Sequence, residues 1–442
     1  LRFRLRKEFE KVNPTLFDEN PHLKSFAERL LQARENGSLI LQGGDIGYCS
    51  APSNIALLKY WGKMTGHRQV PVNSSVSMTL GGFRAFTQVS VAGRFVPLKQ
   101  GRPEEPFSRP PFTLQLNGVD QLMPAKMEQF LRNLLAVYAP DISLNVRTFN
   151  NFPLACGVAS SAAGYAALVG AVADVLNLQR FLTREELTLW LSEWSRLGSG
   201  SATRSAIAVE TSSPANNQFV AWNLLSQPLQ ESNGTRLTHT QVCSAHTSLN
   251  NLQHCVLVVD AQEKQTGSSE GHELAQTSVL QDIRLAQYPS RFQRMCAAIA
   301  TGDLQEVGEL SEVDAFEMHS VMGTGAVPLK YMNPQTAYAI SRFVELRNSQ
   351  NVAMFWTLDA GPNPHFLFDR GAARYLAQVF DELSNLEEFA SARVLIGKGS
   401  NPNGILVGTD ELARHGFFPF EGGFDSILMK CTLEQAAEYL KS

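Results

Sequence analysis

Separated groups of residues in this 442-residue chain are of a kind that does chemistry. The first is a run of small side chains from Ala155 to Gly164, opening an Ala-rich apolar stretch that reaches Leu176. Small side chains let a ligand approach the backbone closely, and Ser160 or Ser161 stands where a helix N-cap belongs. The unbonded N–H groups and positive dipole end of such a helix attract an anion, and a hydroxyl there reaches a phosphate or its Mg²⁺. Composition alone reads equally well as a tightly packed helix. The second group centres on Lys59, set between Leu58 and Tyr60-Trp61. Burying that ammonium is costly without an anionic partner; the plainer alternative is a lysine snorkelling from a half-exposed strand. The third is Arg196 with Ser199-Gly200-Ser201 and Arg204 behind it. A Gly/Ser turn flanked by two guanidinium groups cradles carboxylate or phosphate, although a cation in a last helical turn also answers the helix dipole. The fourth is Asp359, directly before Ala360-Gly361-Pro362-Asn363-Pro364, which by itself is ordinary turn chemistry.

Positioning these groups requires both strands and helices. Residues 80–96 alternate enough to be strands, Phe112–Leu116 with Asn117-Gly118 reads as a strand and turn, and 142–149 is a strand leading into the small-residue run. Helical spacing is expected over 22–35, 121–138, 183–197 and 304–322, and a short closing helix over 432–440. Thr183 with Glu186 forms a capping box, and Leu187, Trp190, Leu191 and Trp194 an apolar stripe. Residues 255–259 form a buried strand, 351–369 a strand, turn and returning strand, and 393–396 a last strand before the loop 397–405. Residues 94–111 are rich in Pro, Gly and charge and read as a surface loop. Residues 1–45 read as an appendage without chemistry, and the polar stretch 225–240 as a domain boundary. Asp314 and His319, on the helix 304–322, are expected to act behind the site rather than in it.

The segments together resemble one family. Pro153, Gly157, Ala159, Ser160, Ser161 and Ala162 match the phosphate-binding loop of the GHMP kinase superfamily (P-x-x-x-G-L-x-S-S-A), with Val158 in the usual Leu position. NNFPLACGVASSAAGYAAL looks like the diphosphomevalonate decarboxylase branch. SAPSNIALLKYWGK resembles that branch's N-terminal motif, SRLGSGSATRS its second Gly/Ser turn, and DAGPN its C-terminal signature. Departures are Met64, where many relatives have Arg, and Thr203, in a Cys position. No Gly-Lys-Ser/Thr follows, so this is not a Walker loop.

The resemblance implies an α+β fold of two domains: an N-terminal domain like ribosomal protein S5 domain 2, over 46–232, and a ferredoxin-like C-terminal domain, over 233–442. The site would lie in the cleft between them. It implies ATP-dependent decarboxylation of mevalonate 5-diphosphate to isopentenyl diphosphate, through phosphorylation of the 3-hydroxyl. Gly157, Val158, Ala159, Ser160, Ser161 and Ala162 would hold ATP phosphates, with Ser161 reaching Mg²⁺. Asp359 would meet the 3-hydroxyl, Asn54 would lie near the reacting groups, and Arg196 would hold the substrate carboxylate. Lys59 and Tyr60 would meet the diphosphate, with Lys59 also acting on Asp359, while Ser199, Gly200, Ser201 and Ser268 would complete the diphosphate site. Ser269 and Glu270 stand where bacterial relatives often carry Arg, which keeps a monophosphate substrate open; a mevalonate 3-kinase is the other sister activity.

Composition sets the outer bounds. Apolar residues make up 44% and charged residues 18%, the balance of a globular protein. A net charge of −4 offers no global field for nucleic acid or an anionic membrane, which counts against a non-catalytic S5-like nucleic-acid binder. The six cysteines are scattered without a C-x-x-C pair, so neither zinc nor a disulfide framework is indicated. Reduced thiols fit a cytoplasmic enzyme, and the resemblance implies a homodimer.

Overall fold

The structure is a computed structural model. It describes residues 21–94, 112–139, 142–153, 157–207, 219–231, 234–260, 268–397, 404–417 and 427–442. Most of the loops expected at 94–111 and 397–405 lie outside the described residues. In chain order the elements begin with α1 (Pro21–Glu35), β1 (Ile46–Leu58), β2 (Ser75–Arg94), β3 (Phe112–Leu116), β4 (Val119–Gln121), α2 (Ala125–Tyr138), β5 (Ile142–Asn150), α3 (Ser160–Val175), α4 (Arg184–Gly198), α5 (Ala202–Ser205), β6 (Phe219–Glu231) and β7 (Gly234–Val242). They continue with β8 (Gln253–Val258), α6 (Ser268–Leu274), α7 (Gln281–Thr301), α8 (Leu304–Thr324), α9 (Pro334–Gln350), β9 (Met354–Thr357), β10 (His365–Phe368), α10 (Ala373–Ser384), β11 (Arg393–Gly397), β12 (Leu406–Val407), α11 (Thr409–Arg414), β13 (Leu428–Cys431) and α12 (Leu433–Lys441).

Among the described residues these strands make two sheets. In the first, β12, β1, β2, β5, β3 and β4 lie side by side, with β6 on β2 and β7 on β6. Helix α3 packs along β1 and β2. It is buried from Ala162 almost to its end, which explains an apolar sequence without a polar stripe. The second sheet runs β13-β11-β8-β10-β9. Its residues alternate between two cores, as the period of a strand demands. Val256, Val258, Phe355, Leu367 and Leu395 join the core of the first half. Cys255, Leu257, Trp356, Phe366 and Ile396 face α9, α10 and α12. The second sheet is therefore a shared wall, and the expected α+β architecture of two halves holds.

Some local expectations change. The stretch 225–240 is most of a β6–β7 hairpin, so the chain leaves the first sheet only after Val242. Helix α1 is no appendage: Leu23, Phe26, Ala27 and Leu30 are buried in the main core, and the Arg34 guanidinium donates to the Tyr138 carbonyl at 2.9 Å. Helix α2 begins at Ala125, since Gln121 is taken by β4. The capping box of Thr183 and Glu186 is formed as expected.

Burial of the α1 stripe gives the first prediction. Leu30→Ala removes a fully buried side chain and should cost about 2–5 kcal/mol, as in other cores. A clear fall in the urea midpoint is expected; an unchanged midpoint would detach α1 from the core.

Candidate functional site

Strand β1 ends at Leu58, and the next residue turns its side chain inward. Lys59 Nζ lies 2.7 Å from Asp359 Oδ1 and also donates to the Ala56 carbonyl at 2.7 Å. The lysine side chain is 1% exposed and the aspartate 22%. Lys59 is thus a buried cation that has found its anion, not a snorkelling one, and the Asp359 carboxylate keeps partial access to solvent.

The Lys59 peptide is gripped from both sides. Its N–H donates to Asp314 Oδ2 at 2.6 Å. Its carbonyl accepts from Asn73 Nδ2 at 2.9 Å, Tyr288 OH at 2.9 Å and Arg284 Nη2 at 3.1 Å. Asp314, wholly buried on α8, also accepts from Arg284 at 3.1 Å and Arg291 at 3.0 Å. Ionic hydrogen bonds of this kind fix geometry when every acceptor is used. Asp314 lies behind the site as expected; Arg284, Tyr288 and Arg291 were not singled out from sequence. A charge-rich helix gives no sign of which residues turn inward.

Asp359 is held by its own backbone. Its carbonyl accepts from Gly361 N–H at 2.7 Å and from His319 Nε2 at 3.1 Å. Burial pushes His319 down to about 4, so at neutral pH its ring is uncharged, and Nε2 carries the hydrogen because a carbonyl only accepts. Thr336 Oγ1 donates to the Pro362 carbonyl, anchoring the turn to α9.

The small-residue turn approaches from the other side of β1. Ser53 Oγ donates to the Val158 carbonyl at 2.6 Å. Gly157, at φ +85°, has the left-handed backbone that glycine tolerates best. The N-cap is Ala159, itself left-handed at φ 37° and ψ 47°, so the expectation of a serine cap is corrected. Two left-handed residues coil the chain so tightly that Ser160 and Ser161 become the first residues of α3. Their N–H groups precede any helical carbonyl able to bond them. Ser161 Oγ lies 3.3 Å from Ser199 Oγ, which brings the two small-residue turns together.

In the second turn, a Cβ on Gly200 would come within 2.6 Å of the Tyr60 ring. Tyr60 packs edge-on to Trp222 and against His272. Asn54 Nδ2 donates to Ser205 Oγ at 2.7 Å and to the Ser201 carbonyl at 3.3 Å, and Arg204 Nη1 donates to Ser75 Oγ at 2.6 Å. Burial lowers Arg204 to about 10, against the pull of Asp359. Arg196 is buried, with Nε on Glu193 at 2.8 Å and Nη1 on the Arg68 carbonyl at 2.7 Å. Beyond the end of α4, Arg68, Lys126, Gln129 and Asn133 help to line a cavity of about 200 Å³. Helix α6, which opens at Ser268, docks through His272, whose Nδ1 accepts from Gly62 N–H at 3.0 Å. The Ser268 side chain lies outside the described residues.

Asn54, Lys59, Tyr60, the turn 199–201 and Asp359 thus belong to one connected region, and Gly157–Ala162 adjoins it through Ser53 and Ser161. Comparison with known proteins finds a "Diphosphomevalonate decarboxylase-like N-terminal domain" over residues 51–213 and a "Mevalonate 5-diphosphate decarboxylase C-terminal domain" over 254–402. A relative named diphosphomevalonate decarboxylase from Candida albicans is 33% identical, the match covering 72% of this chain and 83% of the relative. The chain belongs to the diphosphomevalonate decarboxylase family. The Bos taurus protein of that name is 30% identical over 86% of this chain and 90% of its own length. Among solved structures, mevalonate diphosphate decarboxylase from Enterococcus faecalis aligns with a TM-score of 0.63 and 26% identity, covering 82% of this chain and 99% of that one. A further structure, described as MDDEF in complex with MVAPP, AMPPCP and magnesium, aligns with a TM-score of 0.65 and 27% identity over the same shares.

Two family segments meet at the Lys59–Asp359 pair, which yields a pH prediction. Burial pulls Lys59 below the ordinary lysine value of 10.5, Asp359 and Asp314 oppose that pull, and Arg204 adds to it. Any rate that depends on the Lys59 charge should therefore fall as pH rises through a value below 10.5. Asp314→Asn removes one opposing charge, so the alkaline limb of kcat should move to lower pH. Breaking a buried ionic cluster should also cost about 3–5 kcal/mol. An alkaline limb at the wild-type pH in the folded variant would leave Asp314 a packing role only.

Proposed function

We infer that this chain uses ATP to convert mevalonate 5-diphosphate into isopentenyl diphosphate, ADP, phosphate and carbon dioxide. The observation that carries the reading is the carboxylate of Asp359, partly exposed, with a buried lysine 2.7 Å away. Support comes from relatives named for this activity and from the structure described with MVAPP, AMPPCP and magnesium.

The proposed roles follow from what each group can do. Asp359 takes the proton of the 3-hydroxyl as its oxygen attacks the terminal phosphorus of ATP, and ADP leaves. The new phosphate then departs with the electrons of its C–O bond. The bond to the carboxylate breaks, releasing carbon dioxide, and its electrons become the alkene. Arg196 presents a guanidinium whose plane is set by Glu193 and the Arg68 carbonyl, and orients the carboxylate that leaves. Asn54 lies beside the reacting groups and keeps the second turn in place through Ser201 and Ser205. Lys59, Tyr60, Ser199, Gly200, Ser201 and Ser268 face the substrate and its diphosphate.

ATP phosphates fit the start of α3, where backbone N–H groups, the dipole and the Ser160 and Ser161 hydroxyls converge. Mg²⁺ would lie with those phosphates and Ser161, neutralising charge as the phosphoryl group moves. Among the described residues no three His, Cys, Asp or Glu side chains gather as a metal site.

Two functional halves are proposed on the two sheets, the nucleotide half extending through Val242. A cytoplasmic location, which rests on the scattered cysteines, and a homodimer, which rests on the family resemblance, belong to the same proposal. Among the described residues no helix is long and apolar enough to cross a membrane.

Asp359→Asn keeps size but cannot take the proton, so turnover should fall roughly 10²- to 10⁴-fold, the usual range for a lost general base. ADP and carbon dioxide should fall together; persistent ADP with lost carbon dioxide would refute the base assignment. Arg196→Lys loses the planar fork and should slow turnover on the order of 10²-fold; wild-type speed would leave Arg196 a helix-end residue. Assaying mevalonate, its monophosphate and its diphosphate side by side separates the decarboxylase from its sister activities.

A further inference from the structure

Two histidines on the shared sheet face neither solvent nor the proposed reacting groups. His365 opens β10 opposite Val256, and His254 is its diagonal neighbour on β8, both on the face turned toward the first half of the chain. His254 Nε2 lies 2.8 Å from His365 Nδ1, and His365 Nε2 lies 3.2 Å from the carbonyl oxygen of Gly157. Phe83 packs edge-on against His254, closing the pair off.

The carbonyl settles the protons. It only accepts, so His365 Nε2 carries a hydrogen. In a neutral ring Nδ1 is then the acceptor, and His254 Nε2 must donate to it. Burial, with the neighbouring His365 ring, pushes His254 well below the ordinary histidine range, so this ring is uncharged at neutral pH. With both rings neutral, one backbone oxygen sets the tautomer of two rings in series.

Gly157 is the left-handed residue that starts the turn into α3. Ser53 holds that turn from β1, and His365 holds it from β10. The position a Gly157 Cβ would take lies 3.7 Å from Asn363 Cβ and 3.8 Å from His365 Nε2, so the β10 end of the Asp359 turn is packed directly against it. Asn363 is itself fixed, its Oδ1 accepting from Val259 N–H at 2.9 Å and from Asp260 N–H at 3.1 Å. The segment from Asp359 to His365 therefore touches the lysine pair at one end and the small-residue turn at the other.

We propose that His365 is a positioning residue that sets the Gly157 turn against the Asp359 turn, with His254 behind it donating to its Nδ1 and holding the ring in place. The proposal rests on the reading that ATP phosphates lie at Ser160 and Ser161. A misplaced phosphate loop weakens nucleotide binding and alignment, while a diphosphate held by Lys59, Tyr60 and the second turn is much less affected, being linked to that loop through Ser161 and Ser199.

The test is steady-state kinetics with both substrates varied. His365→Leu should raise KM for ATP about 10-fold and lower kcat, an ångström-scale displacement being enough for such losses, with KM for mevalonate diphosphate within about twofold of wild type. His365→Gln places an amide donor at a similar reach and should restore most of the ATP KM. Should His365→Leu not accumulate as folded protein, His254→Phe carries the test, with a smaller rise in the same KM. Nitrogen-15 spectra of the wild type should show both rings neutral and protonated at Nε2. The idea is overturned if the ATP KM is unmoved, if both KM values rise together without rescue by Gln, or if His365 is protonated at Nδ1 alone. Ser160→Ala with Ser161→Ala separates the two layers. A raised ATP KM there with none in the His365 variants refutes this inference alone; no change there refutes the ATP site beneath it.

Discussion

A buried ammonium must have an anion, and here the anion lies 300 residues away in the chain. Desolvating Lys59 without Asp359 would cost several kcal/mol, so the two halves cannot drift apart without exposing or neutralising the lysine. Much of the structure serves that contact. Asp314, Arg284 and Tyr288 fix the peptide of the lysine, His319 and Gly361 fix the peptide of the aspartate, and a shared sheet aligns the two. The catalytic reading depends on this same pair, since a partly exposed carboxylate held by one cation is suited to take a proton from an arriving hydroxyl.

Charge is arranged inward. The chain is net acidic, yet Lys59, Arg84, Arg196, Arg204, Arg284 and Arg291 are all buried. Such cations are costly unless hydrogen-bonded, and the structure meets that cost with backbone carbonyls as often as with carboxylates: Arg196 uses the Arg68 carbonyl, and Lys59 that of Ala56. The histidines play the opposite part. His254, His272 and His319 are kept uncharged by burial, so they act as directional donors and acceptors among fixed positive charges. A substrate with a carboxylate at one end and a diphosphate at the other suits such an interior far better than the outer surface.

Much of this was legible in the sequence where spacing carries physics. The capping box at Thr183, the strand-turn-strand around Asp359 and the buried α3 follow from period and turn residues. Lys59 could be singled out because a lysine in an apolar run needs an explanation. Arg284, Tyr288 and Arg291 could not: their partner Asp314 lies on another helix, and an amphipathic pattern does not reveal which polar residues are wrapped inward. His254 and His365 give no sign of each other in the sequence, because their meeting depends on how β8 pairs with β10: His365 lies opposite Val256 and His254 opposite Leu367, which leaves the two rings diagonal neighbours on one face. The serine cap failed for a local reason. Left-handed backbone at Gly157 and again at Ala159 places the helix start a residue earlier than a serine cap would, and nothing in a run of small side chains marks where that occurs.

The return of β12 has a consequence for how the molecule can be taken apart. After the last central strand of the second sheet, β11, the chain comes back to pair Leu406 and Val407 with Ser50 and Cys49 on β1, and the Arg84 guanidinium donates to the Gly404 carbonyl at 2.8 Å. It then crosses again to supply β13 to the second sheet. A cut between Val242 and Gln253 would not release two self-sufficient pieces. The amino-terminal piece would have an open edge on β1, and the carboxy-terminal piece would carry an orphan strand. The halves are interleaved like clasped fingers, a form suited to reassembly from co-expressed fragments and poorly suited to exchange of one half for that of another protein.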